Sequence, residues 1–145
     1  MIDIVKALKT RWTAEGLSTY ITGGIHHSRV PERVQMPYCV FHELGSPVIT
    51  KTRTLIISEL QIQFEVFDKT GNAETCADLA QRVRDAFLNA ENATSNPLET
   101  GTTVGIIDAD VTQNIHTEAE GDEQVYRSVF EMAIKFHEPR NLIPA

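Results

Sequence analysis

The clearest pattern in the chain lies over Leu55–Asp68, where Leu60, Ile62, Phe64 and Val66 alternate with Gln61, Gln63 and Glu65. A period of two sends the two sets to opposite faces of a strand, so one face is buried and the other is wet. Further along, Cys76, Leu79, Ala80, Val83, Ala86 and Phe87 recur at helical spacing within 73–90, while Asp78, Gln81, Arg82, Arg84 and Asp85 point away from that stripe. This spacing predicts an amphipathic helix. A shorter helix is expected over 2–15 from Ile4, Val5, Leu8 and Trp12, with Asp3 as N-cap and Gly16 as the C-terminal stop.

Pro37 leads into Tyr38-Cys39-Val40-Phe41-His42-Glu43-Leu44, a β-branched and aromatic run that stops at Gly45-Ser46-Pro47 and reads as the first strand. Segments 104–115 and 124–138 read as a long hairpin joined through the acidic turn 118–123. In its second strand Tyr126, Phe130, Met132, Ile134 and Phe136 share one face, and Arg127, Glu131 and Lys135 the other. The order is helix, strand, strand, helix, strand, strand, with hairpin-length connections between consecutive strands. It predicts an α+β fold, an antiparallel sheet of about four strands with two helices packed on one face. One domain is expected over residues 1–145, with an irregular arm at 17–37, where Gly23, Gly24, Pro31 and Pro37 break every period, and a mobile loop at 91–103.

Composition narrows the function classes. The 145 residues are 41% hydrophobic and 23% charged, the balance of an ordinary globular chain. No apolar run approaches the roughly 20 residues of a membrane span, and no secretory leader is read at the N-terminus, so a soluble, unexported protein without membrane contact is expected. The net charge of -7 is uneven: residues 1–53 sum to +3 and residues 54–145 to -10. Without a cluster of Lys and Arg the chain lacks the electrostatic footprint of a sequence-reading DNA binder. Cys39 and Cys76 fall on a strand and a helix and are expected to be free, buried thiols.

Candidate chemistry is sparse. The histidines are His26, His27, His42, His116 and His137, but no His-x-x-x-His or Cys-x-x-Cys spacing gathers them around a metal. Asp108 and Asp110 lie in phase on one strand and, with His116, define a rival reading as a small metal-dependent enzyme. No Gly-x-Ser-x-Gly elbow and no phosphate-binding glycine loop is present, and Gly23-Gly24 reads as a positive-φ turn. The chain is therefore expected to be a non-enzyme without a cofactor. A further rival is a monomeric ligand-binding domain. An open sheet also has two edges, which a small protein must blunt, cover or pair with a neighbouring copy.

The short N-terminal helix, the segment Gly23-Gly24-Ile25-His26-His27-Ser28-Arg29-Val30-Pro31 and the following Met36-Pro37-Tyr38-Cys39-Val40-Phe41 resemble the start of phage tail-completion and tail-terminator proteins. Gln61-Ile62-Gln63-Phe64-Glu65-Val66-Phe67-Asp68, the helical run from Ala77 to Phe87, and Val125-Tyr126-Arg127-Ser128-Val129-Phe130-Glu131-Met132 are similar to that family's central strand, helix and closing strand. The loop 91–103 and the acidic turn 118–123 depart from the family pattern.

The resemblance implies a structural virion-assembly protein of a tailed phage or prophage. It would form a ring, commonly a hexamer, that terminates the tail tube and joins it to the head connector. The implied partners are further copies of the chain, tail-tube protein and a head-connector or neck protein, with DNA passing through unbound. The implied location is the host cytoplasm during assembly and then the virion tail. A head-closure or other neck protein of similar fold is the alternative within virion assembly. For the ring interface the candidates are Arg29, Arg33, Lys51 and Arg53, whose charge complements the acidic half. For a DNA-repelling lumen they are Asp108, Asp110, Glu118, Glu120, Asp122 and Glu123.

Overall fold

A computed structural model describes residues 2–45, 47–69, 72–88, 105–120 and 125–139. The chain runs α1 (Ile2–Ala14), a 3-10 turn (Leu17–Thr19), β1 (Ile25–His27), β2 (Tyr38–Gly45), β3 (Val48–Lys51), β4 (Leu55–Asp68), α2 (Ala73–Leu88), β5 (Gly105–Glu120) and β6 (Val125–Pro139). α1 already includes Ile2, so Asp3 lies inside the helix and not at its cap. Its stop is as expected: Gly16 adopts φ 64, ψ 30 and donates its N–H to the Thr13 carbonyl at 3.1 Å. α2 is capped by Asn72, whose Oδ1 accepts the Thr75 N–H at 2.9 Å.

The strands form one six-stranded sheet in the order β1-β2-β4-β6-β5, with β3 also pairing β4. The expected count of about four strands and the purely antiparallel sheet are both corrected by two short strands. β1, inside the arm read as irregular, pairs parallel with β2, Ile25 opposite Cys39 and His27 opposite Phe41. β3 pairs antiparallel with the first residues of β4, Val48 opposite Ser58 and Lys51 opposite Ile56. Strands of three and four residues are too short to carry a period, so their state is set by the free edges beside them. β5 also runs to Glu120, well past the expected end at 115, which takes the first residues of the acidic turn into the strand.

β4 is the spine. β6 lines one side of it from Leu55 to Asp68, while β2 and then β3 line the other. Its alternation does what the pattern requires: Leu60, Ile62, Phe64 and Val66 are fully buried, on the face covered by α2 and α1. Phe41, Phe64, Phe87 and Phe130 meet there, with Phe64 at ring distances of 5.9, 5.3 and 5.0 Å from the other three. α1 adds Ile4, Ala7, Leu8 and Trp12, and the Trp12 indole N–H donates to Ser18 Oγ at 2.9 Å.

The hydroxyl of Ser128 and the thiol of Cys76 within this core are answered locally. Ser128 Oγ donates to Cys76 Sγ at 3.3 Å and lies 2.7 Å from Thr117 Oγ1, and the Cys76 thiol donates to the Val66 carbonyl at 3.4 Å. Both cysteines are free and buried, as expected. Burial, and then the charge of Glu65, push the Cys39 thiol far above its ordinary range. No helix among the described residues is long and apolar enough to cross a membrane.

Candidate assembly surfaces

The arm before β2 is an ordered turn. The Gly23 N–H donates to the Pro37 carbonyl at 2.8 Å, and a Cβ on Gly23 would lie 2.0 Å from the Gln35 carbonyl oxygen. Gly23 thus answers a close backbone approach, while Gly24 supplies the expected positive φ of 78°. Tyr38 anchors the start of β2: its ring stacks on Phe67 at 5.1 Å and meets His26 edge-on at 6.5 Å. Partial burial, with Glu65 nearby, pushes the Tyr38 hydroxyl upward.

The four basic residues expected at an interface lie on the β1/β3 side of β4. Arg29 follows β1, where its N–H donates to the His27 carbonyl at 2.7 Å, and Arg33 sits further along the same arm with φ 64. Lys51 ends β3 and Arg53 occupies the turn into β4, which the Thr52 N–H closes on the Leu55 carbonyl at 2.8 Å. All four side chains are exposed, and none is ion-paired among the described residues.

Across the sheet, β5 forms the far border. Asp108, Asp110, Glu118 and Glu120 occupy register positions opposite Lys135, Ala133, Arg127 and Val125, and Asp110 and Glu118 lie on the face away from the helices. Asp110 is exposed and accepts the Val111 N–H at 3.0 Å. Glu118 has a partner that its place in an acidic run does not reveal. The Arg127 guanidinium bridges Glu118 at 2.8 Å and Glu65 at 2.7 Å, and the Glu65 bond above all pushes its pKa up. Asp122 and Glu123, like the loop 91–103, lie outside the described residues.

Strand geometry also separates the rival metal-site residues. At roughly 3.3 Å per residue, Asp110 and His116 stand on the order of 20 Å apart along β5, too far to share an ion. No group of three His, Cys, Asp or Glu side chains placed to hold a metal occurs among the described residues. His26 is bound to the Gly23 carbonyl at 2.7 Å, and His27 stacks on Phe41 with its Nε2 at 3.2 Å from Glu43.

One comparison with solved structures bears on this geometry. A chain from the "Virion of native gene transfer agent (GTA) particle" superposes with a TM-score of 0.58, covering 83% of this chain and 84% of that one at 12% sequence identity. The two chains share a fold. No protein-family model and no curated protein sequence matches the chain.

Sequence reasoning missed the apolar character of the β3–β4 hairpin. Leu44, Val48, Ile49 and Leu55 are exposed there, and apart from Tyr20 they are the exposed large hydrophobic residues among those described. The signal was present in Val48 and Ile49, just ahead of Leu55, Ile56 and Ile57 at the start of the strand read over 55–68.

Proposed function

We propose that this protein is a structural component of a phage-like virion, a ring subunit that terminates a tail tube and joins it to the head connector. The observation that carries the reading is the fold shared, over most of both chains, with a chain of a gene transfer agent virion. The opposed borders support it, because exposed cations on the β1/β3 side and acidic residues on β5 give each copy two unlike, complementary edges. Such edges join copies head to tail, and a rotation that closes makes a ring. The role needs no catalytic site and no cofactor.

Acidic groups that the interface leaves free face the passage. Like charge there removes the counterion-release gain that holds phosphates, so DNA moves through unbound. The protein assembles in the host cytoplasm and ends in the virion tail. Light scattering coupled to size-exclusion chromatography over a concentration series tests the reading against the 16.2 kDa subunit. A mass near a hexamer, with binding to tail-tube protein, supports it. Binding to a head-connector protein without affinity for the tube favours a head-closure role instead, and a strict monomer that binds neither refutes both.

A further inference from the structure

The β3–β4 hairpin is an arm with no counterpart among the described residues of its own chain. Residues 45–58 contain Lys51 and Arg53 but no Asp or Glu. Val48 and Ile49 are 49% exposed and Leu55 36%, with Leu44 at the base 49% exposed. Four large aliphatic side chains left in water on one projection form the kind of apolar cluster that marks a docking surface. β1 reaches only Cys39, Val40 and Phe41, so no described strand covers the outer edge of β3.

β5 offers the complement on the opposite border. It carries Asp108, Asp110, Glu118 and Glu120 and no Lys or Arg. Val111 and Ile115 on the same strand are only partly buried and pack against the core. Three register shifts, between Ile106 and Asp108, Val111 and Gln113, and Gln113 and His116, interrupt its ladder with β6. A bulged edge rejects backbone pairing with an added strand, so a partner must be held there by side chains.

We infer that the arm formed by β3 and the start of β4 docks on the β5 border of a second copy of this chain. Val48 and Ile49 cover Val111 and Ile115, and Lys51 and Arg53 face Asp110. Arm and seat lie on opposite sides of β4 within one subunit, so neither can satisfy the other except in the next copy. The contact is therefore heterologous and repeats head to tail. This assignment rests on the ring reading above and specifies which surfaces make it.

Two variants test it, each changing residues that are exposed in the subunit: Ile49→Asp in the arm, and Asp110→Lys with Gln113→Lys in the seat. Each is expected to keep the wild-type circular dichroism and the fluorescence of buried Trp12, while its association weakens by roughly tenfold or more. Mixed in equal amounts, they are expected to form a dimer of about 32 kDa from 16.2 kDa subunits and nothing larger. The seat variant supplies an intact arm and the Ile49→Asp variant an intact seat, and the remaining ends are dead.

A wild-type ring that survives Ile49→Asp, or two folded variants that stay monomeric when mixed, would overturn the inference and leave the ring reading standing. A wild type that is monomeric at millimolar concentration, with variants that also fail to bind each other, removes the second copy as occupant and the self-assembling ring with it.

Discussion

Replacing Phe64 by Ala strikes the point where the sheet and α2 meet. Phe64 is fully buried and its ring lies 5.0 Å from Phe130, 5.3 Å from Phe87 and 5.9 Å from Phe41. Burying a Phe side chain is worth roughly 1.5–3 kcal/mol in transfer alone. The lost ring contacts and the unfilled cavity raise the cost of Phe→Ala in a closed core to about 4 kcal/mol. On a domain stabilised by roughly 5–15 kcal/mol this is a large fraction, and at about 3 °C per kcal/mol it lowers Tm by about 12 °C. Urea unfolding followed by Trp12 reads the change directly, since that residue is the single tryptophan and is buried against the core. Phe64→Leu, which refills most of the volume, is expected to cost about 1.5 kcal/mol. A Phe64→Ala cost below about 1.5 kcal/mol, or equal costs for both variants, would refute a closed four-ring core.

Other perturbations probe the rest of the scaffold. Above the ordinary thiol pKa of about 8.5 the unfolded chain releases the Cys39 proton while the folded chain keeps it, so stability should fall with rising pH by up to about 1.4 kcal/mol per unit. Cys39→Ala should flatten that slope in pH-dependent urea titrations. In double-mutant cycles built on Arg127→Met, coupling to Glu65, which is 14% exposed, should be about 1–2 kcal/mol. Coupling to Glu118, 46% exposed, should be about 0.5 kcal/mol or less, and equal couplings would contradict the burial difference. Gly23→Ala forces a methyl against the Gln35 and Pro37 carbonyls and should cost about 3 kcal/mol, against about 1 kcal/mol for Gly24→Ala, where nothing lies nearby and only the positive φ is strained. Thermal melts that reverse this order would show that the turn is not closed as described.

Local sequence determined the long elements because they carry their own period. The alternation of Leu60, Ile62, Phe64 and Val66 needs a strand with one buried face, and the stripe from Cys76 to Phe87 needs a helix lying on it. The bounds of β4 were legible to the residue for that reason, and the closing strand and the Gly16 stop nearly so. β1 and β3 were not legible. Three or four residues have no period, and they became strands only because β2 and the first residues of β4 left backbone groups to pair.

The candidate site divides along the same line. Charge counting separated a basic half from an acidic half, but only strand order could place the arm cations and the β5 acids on opposite borders of one sheet, because position across a sheet is a long-range property of pairing. Tertiary pairing likewise gave Glu118 its Arg127 partner nine residues away, and it left Val48 and Ile49 in water where their composition argued for burial. Periodicity says which face of an element is apolar. What that face meets is decided by the remaining elements, once the core has taken those it can cover.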